Sequence, residues 1–263
     1  MSESAAIVTV EGPLAWITLN RPDDLNAMSP ALIEDLDQAV TAVEQDPRVR
    51  VVAITGRGRA FSAGGDLKSF RDRILAGNLE SFHAGLRRGQ EVFRRIETLP
   101  LPVIASVNGY AIAGGLELVL ACDLVVAAAG ARMGDGHAKF GVIPGAGGSV
   151  RLPRKIPVAL AKQLLFTAEL VPAETLRGWG LVNEVVPDAE LPAAVTALAG
   201  RIAKASPLTL RVMKGLVDGG LDTSIEEALE AELTAFRRYA ESHDLREGLS
   251  AFEEKRQPRF RGE

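Results

Sequence analysis

A single cysteine in 263 residues, Cys122, leaves the chain unable to close an intrachain disulfide. It follows an apolar stretch and precedes Asp123, with no histidine nearby to activate it, and so reads as a buried structural thiol. The start, Met1-Ser2-Glu3-Ser4, lacks the basic residues and apolar run of a secretory leader. A reducing, cytoplasmic setting is the expectation. Long uninterrupted apolar runs are also missing: residues 111–131 are broken by Glu117 and Asp123, charges that a bilayer penalises. That stretch reads as a buried helix followed by a buried strand, and no membrane partner is expected. Positive charge is not in excess, with 30 Lys and Arg against 34 Asp and Glu, so no global field favours a nucleic acid partner. Arg87, Arg88, Arg94 and Arg95 recur at helical spacing around Phe93 and Ile96, the pattern of the wet face of an amphipathic helix. There are only three histidines, and His83 and His243 have no cysteine or carboxylate at ligand spacing, so they read as surface residues and no metal is expected. The nucleotide fingerprints are absent as well. Gly145 and Gly147 are followed by Val150 where a third glycine is needed, and Gly109 and Gly114 are not followed by Lys-Ser/Thr.

What is present is enough for one large core with a helical appendage: 47% of the residues are hydrophobic. Residues 7–10 and 14–19 are β-rich runs on either side of Glu11-Gly12-Pro13, an opening hairpin. Ser29-Pro30 is a helix start, with a hydroxyl to cap and a proline where no amide donor is needed, and the helix should run to about Glu44. Residues 51–55, 103–107 and 124–127 are short apolar runs separated by helical patterns, as in parallel strands buried on both faces. The class is α/β. After Pro157 the pattern turns to successive helices, with only residues 181–186 strand-like before a helical tail over 189–255. That tail has more apolar positions than a helix pair can hide, and must pack on the core or on a neighbouring subunit.

Two segments carry the chemistry: Phe61-Ser62-Ala63-Gly64-Gly65-Asp66-Leu67-Lys68 and Asn108-Gly109-Tyr110-Ala111-Ile112-Ala113-Gly114-Gly115-Leu116-Glu117. Each has a glycine pair at which a ligand oxygen can approach a bare backbone N–H, and Gly114 opens an apolar helix, where free N–H groups and the positive dipole end coincide. Two such donors aimed at one oxygen would stabilise a thioester enolate. Glu117, three residues beyond Gly114 on the same helix face, places a carboxylate beside whatever Gly114 binds, in an otherwise apolar run.

These segments resemble the enoyl-CoA hydratase/isomerase, or crotonase, family, and the similarity extends over nearly the whole chain. The resemblance implies a spiral of repeated ββα units with a C-terminal helical trimerisation region. It divides the chain into a core, residues 1–200, and a helical region, residues 201–263, for oligomerisation and part of the acyl-CoA pocket. Homotrimers, or hexamers as dimers of trimers, are expected. It further implies an acyl-CoA thioester as substrate, no cofactor beyond the coenzyme A of that substrate, and an oxyanion hole made by Gly65 and Gly114. Glu117 becomes the residue that handles water or a proton at the β-carbon. Asn26, Ala27, Ala63, Asp66, Leu67 and Lys68 shape the coenzyme A channel, and Phe252 and Lys255 approach it from the tail, often across a subunit boundary. In one place the chain departs from the family pattern. The run Ile143-Pro144-Gly145-Ala146-Gly147-Gly148 is intact, but the preceding Gly-x-Pro-Glu element reads Gly134-Asp135-Gly136-His137, with His137 in place of the second glutamate. Imidazole can transfer protons near neutrality, so Glu117 and His137 are the expected catalytic pair, with Asp135 as a substitute. Hydration of a 2,3-unsaturated acyl-CoA is the leading expectation. Isomerisation, C–C hydrolysis or decarboxylation through His137, and a non-catalytic acyl-CoA or RNA-binding role, are the alternatives.

Overall fold

The computed structural model describes residues 4–263. Strands β1 (Ala6–Glu11) and β2 (Leu14–Leu19) form the expected antiparallel hairpin, turning at Gly12. Helix α1 (Pro30–Gln45) starts where the Ser29 side chain accepts from the Leu32 N–H, and it buries Leu32, Leu36, Ala39, Val40 and Val43 along one stripe. It crosses over to β3 (Val51–Gly56), which lies parallel to β2. Then follow β4 (Ala60–Ser62), α2 (Leu67–Leu75), α3 (Leu79–Glu97), β5 (Val103–Val107), β6 (Tyr110–Ile112) and α4 (Gly114–Leu120). The third repetition is β7 (Leu124–Ala128) and β8 (Arg132–Gly134), succeeded by α5 (Gly148–Lys155), α6 (Val158–Thr167), β9 (Val171–Pro172), α7 (Ala173–Gly178) and β10 (Glu184–Val186). Helices α8 (Leu191–Ile202), α9 (Pro207–Gly220), α10 (Ile225–Tyr239) and α11 (His243–Glu253) complete the chain.

The strands sort into two sheets, one of six in the order β1-β2-β3-β5-β7-β10 and one of four in the order β4-β6-β8-β9. Each of β3, β5 and β7 is thus followed by a short strand of the other sheet before the chain turns helical, which is the repeated ββα unit. Strands β2, β3, β5 and β7 are buried on both faces, β5 at every position, as their near-continuous apolar sequences require, while the edge strand β1 is largely open to one side. Within the smaller sheet β4, β6 and β8 run parallel, with Ser62 opposite Ala111 and Ile112 opposite Gly134.

Three readings of the sequence change in detail. Residues 181–186 give a strand only over the last three, because Leu181 and Val182 go into the core before Asn183 docks against Val125. The tail is four helices, each of the last three entered through a serine whose hydroxyl accepts a backbone N–H: Ser206, Ser224 and Ser242. The arginines of α3 are not a freely solvated stripe. Arg88 pairs with Glu34 and Asp37, and Arg95 with Asp37 and Glu44, forming an ionic seam against α1. His83 is exposed, as expected, and Cys122 is buried, its thiol pushed up to about 12 by desolvation and by the charge of Asp123.

Candidate active site

The parallel strands of the smaller sheet end side by side, and each leads into one part of a common cavity. After β4 the chain reaches Gly64-Gly65; after β6, Ala113-Gly114; after β8, Asp135-Gly136-His137. Gly64 adopts φ +94°, and a Cβ there would lie 2.6 Å from the Ile112 carbonyl oxygen and 3.1 Å from the Gly114 nitrogen. Both constraints demand glycine. The two segments are in direct contact, since a Cβ on Gly114 would lie 3.5 Å from the Gly65 nitrogen. Met28 N–H donates to the Gly64 carbonyl and Ala113 N–H to the Gly134 carbonyl, which tie both loops to their neighbours. Ala113, in the left-handed half of backbone space at φ 50°, turns the chain from β6 into α4. Neither the Gly65 nor the Gly114 N–H donates to a protein acceptor among the described residues, and both residues line the cavity.

That cavity has a volume of 670 Å³. Its walls are chiefly apolar, with Ile33, Phe70, Phe82, Leu86, Phe140 and Val142 among them, and Glu117 and His137 line it together with the two glycines, as do Asp66, Arg73 and the otherwise exposed His83. An apolar chamber with a few convergent polar groups is the usual form of a small-molecule site.

All seven residues of α4 are buried, and Glu117 is 2% exposed. No arginine among the described residues pairs with it. Instead Glu117 Oε1 accepts the Ala146 N–H at 2.8 Å and the Gly148 N–H at 2.9 Å, both from the intact glycine-rich run. Gly148 packs closely: a Cβ there would lie 3.2 Å from Pro144 Cβ and 3.3 Å from Glu117 Cγ, a tight fit. Oε2 has no protein partner among the described residues, yet no polar side-chain atom there is both sealed from solvent and unsatisfied. One carboxylate oxygen is therefore a fixed anchor and the other is free to act in the cavity. The anchoring loop is itself held: Arg151 donates to the Ala146 carbonyl at 2.7 Å and pairs with Glu97 of α3 at 2.9 Å. Sequence reasoning missed this anchoring role, although consecutive glycines before a helix are the signal for a cradle of N–H groups.

His137 opens a short 3₁₀ turn over His137–Phe140 and is mostly buried. Its Nδ1 lies 2.9 Å from Asp135 Oδ2, and its own N–H donates to Asp135 Oδ1 at 3.2 Å. Burial pulls the imidazole pKa down, but the hydrogen bond and charge of Asp135, with the charge of Glu117, outweigh it and leave it above the ordinary 6.5.

Of the other residues picked out for the channel, Ala63, Asp66 and Leu67 line the cavity. Asp66 also caps α2, accepting from the Lys68 and Ser69 N–H groups. Lys68 lies in a shallower depression next door with Asp66, Ser69 and Arg73. Asn26 and Ala27 stand behind the wall: the Asn26 side chain is fully buried, accepting from Arg21 N–H and donating to the Arg57 and Ala60 carbonyls. Phe252 is 86% exposed on α11, and neither it nor Lys255 lines the cavity of its own chain. Among the described residues no group of three or more His, Cys, Asp or Glu is arranged to hold a metal, and no helix is long and apolar enough to cross a membrane.

The chain as a whole has known relatives. Crotonyl-CoA hydratase of Syntrophomonas wolfei is 40% identical over 261 residues, 99% of each chain. Short-chain-enoyl-CoA hydratase of Clostridium acetobutylicum is 35% identical over 97% of each. The crystal structure of an enoyl-CoA hydratase from Bacillus anthracis superposes with a TM-score of 0.92 at 37% identity, covering 98% of this chain and 100% of that one. The sequence profile of the enoyl-CoA hydratase/isomerase group matches residues 9–263. With the ββα repeats and the full-length similarity agreeing, this chain belongs to the enoyl-CoA hydratase/isomerase family.

Proposed function

We propose that this enzyme adds water across the 2,3-double bond of an enoyl-CoA, with Gly65 and Gly114 as the oxyanion hole and Glu117 and His137 as the proton-transfer pair. The single observation that carries this reading is the meeting of Gly65, Gly114 and Glu117 in one apolar cavity, with one Glu117 oxygen anchored and the other free. Glu117 Oε2 takes a proton from water as the water oxygen bonds to the β-carbon. The displaced π electrons run through the α-carbon to the thioester oxygen, where the two N–H groups stabilise the enolate. Protonated His137 then delivers its Nε2 proton to the α-carbon as the carbonyl reforms. Passing the proton held by Glu117 back to His137 restores the enzyme. The addition is redox-neutral, so coenzyme A enters as part of the substrate alone.

The remaining features fit the same reading. The apolar positions left exposed on α9 and α10 support assembly into trimers or hexamers, with residues 201–263 as the oligomerisation region. Phe252 and Lys255 would then meet the coenzyme A channel of a neighbouring subunit, and Lys68 would face its phosphates. The lone buried thiol and the membership of a family of acyl-CoA enzymes support a cytoplasmic setting. A crotonyl-CoA hydration assay tests the reading: turnover by the wild type, with Glu117→Gln and His137→Ala both impaired, is expected. Absence of turnover with double-bond migration or thioester-dependent C–C cleavage in its place would move the reaction to the alternatives that rely on His137.

A further inference from the structure

We propose that Asp135 is the positioning residue of this active site: its buried carboxylate holds the Nδ1–H of His137, fixing the ring so that Nε2 serves the acyl-CoA cavity. The second proton-transfer group is then an Asp–His pair and not a single carboxylate. The inference rests on the role given to His137 above.

Three observations lead here. Asp135 is 1% exposed and pairs with no lysine or arginine among the described residues, so His137 is its sole cationic partner. A carboxylate so placed is costly unless its charge and lone pairs are used. Second, both oxygens are directed at the same residue, Oδ1 at the His137 main-chain N–H and Oδ2 at Nδ1, across the left-handed turn at Gly136. Backbone and ring are clamped together. Third, His137 lines the cavity while Asp135 does not, so the carboxylate acts behind the ring, without touching substrate.

A neutral imidazole that donates from Nδ1 must present a lone pair at Nε2, and a protonated one presents Nε2–H. Either form is the one needed to receive or deliver a proton at the cavity. The groups that face the ring are Asp135 from its own segment and Glu117 from α4, both carboxylates. Together they favour the imidazolium. Replacing Asp135 with Asn keeps the shape but offers Nδ1 an N–H, which favours the opposite tautomer and removes one of the two charges.

The test uses the full-length oligomer. Asp135→Asn is expected to lower kcat for crotonyl-CoA hydration about 10²-fold, the usual yield of a positioned proton donor, while KM stays within about twofold. The alkaline limb of the kcat profile should move to lower pH. Imidazole ¹⁵N spectra of the three histidines, with the His137 signals assigned from His137→Gln, should show Nδ1 protonated in the wild type and a lowered His137 pKa in Asp135→Asn. A wild-type His137 protonated only on Nε2, or an Asp135→Asn enzyme with unchanged kcat and unchanged His137 titration, overturns the proposal. The spectra need no turnover. If hydration itself is not found, the wild-type tautomer still decides the role of Asp135, and the two failures are distinct.

Discussion

Glu117 owes its position to two main-chain donors, and a Gln in its place could keep both bonds through its carbonyl oxygen while losing the basic one. Glu117→Gln should therefore fold with nearly unchanged Tm and lose about 10²- to 10⁴-fold in kcat, read from steady-state hydration kinetics. Asn26 differs in kind. Its side chain satisfies Arg21 N–H and the carbonyls of Arg57 and Ala60, all in or next to buried structure. Truncation to Ala removes these bonds and strands the buried Ala60 carbonyl, at about 1–3 kcal/mol, and the urea midpoint should fall accordingly. His137 predicts a pH signature. Because its folded pKa lies above the unfolded value, the stability it contributes is fully present below about pH 6.5 and is lost as pH rises through the folded value. Unfolding free energies of wild type and His137→Gln should differ most below about pH 6.5 and draw together as pH rises through the folded pKa of His137.

The short strands β4, β6 and β8 do more for the site than the long ones, because they stop abreast and release Gly64-Gly65, Ala113-Gly114 and Asp135-Gly136-His137 into one place. Three residues are too few for any hydrophobic period to register, so these strands escape a reading of the sequence that finds β2, β3, β5 and β7 readily. Gly64 sits at the tightest point. Gly64→Ala combines a positive φ, worth about 1–3 kcal/mol of strain, with a collision at the Ile112 carbonyl, and should lower both stability and kcat in denaturation and rate measurements. Between α3 and α5, the Glu97–Arg151 pair and the Arg151 bond to the Ala146 carbonyl brace the loop that anchors Glu117. Arg94 and Arg151 hold the Glu97 carboxyl below its usual range against the opposing effect of burial.

Over the molecule as a whole, apolar side chains crowd where none of the described residues covers them. Met213 and Val217 on α9, with Leu221 just past its end, and Leu229, Leu233 and Phe236 on α10 each form a series at helical spacing. Six large apolar groups along these two neighbouring segments exceed the scatter found on a monomer's surface. If these faces carry the proposed assembly, the wild type should sediment as a trimer or hexamer, and substituting Leu229 and Phe236 together by Glu should shift it toward monomer in sedimentation velocity, with little loss of helix by circular dichroism. If Phe252 and Lys255 serve a neighbouring pocket, KM for the acyl-CoA should rise in the same variant. The α/β class, the opening hairpin, the capped α1 and the nearness of Glu117 to Gly114 were legible in the chain, because each rests on local chemistry: propensity, capping, or residues within one helical turn; the family, and with it the pairing of the two glycine turns, was legible only through the resemblance of the two motifs. The glycine run at 143–148 and the pair Asp135 and His137 were legible as residues but not as partners. That Asp135 and His137, two positions apart, clasp each other is a local turn at Gly136, whereas that Ala146 and Gly148 would donate to a carboxylate some thirty positions earlier depends on which strand ends meet. Such meetings are set by the packing of the two sheets, a long-range balance of burial and hydrogen bonding that no local run of residues encodes alone.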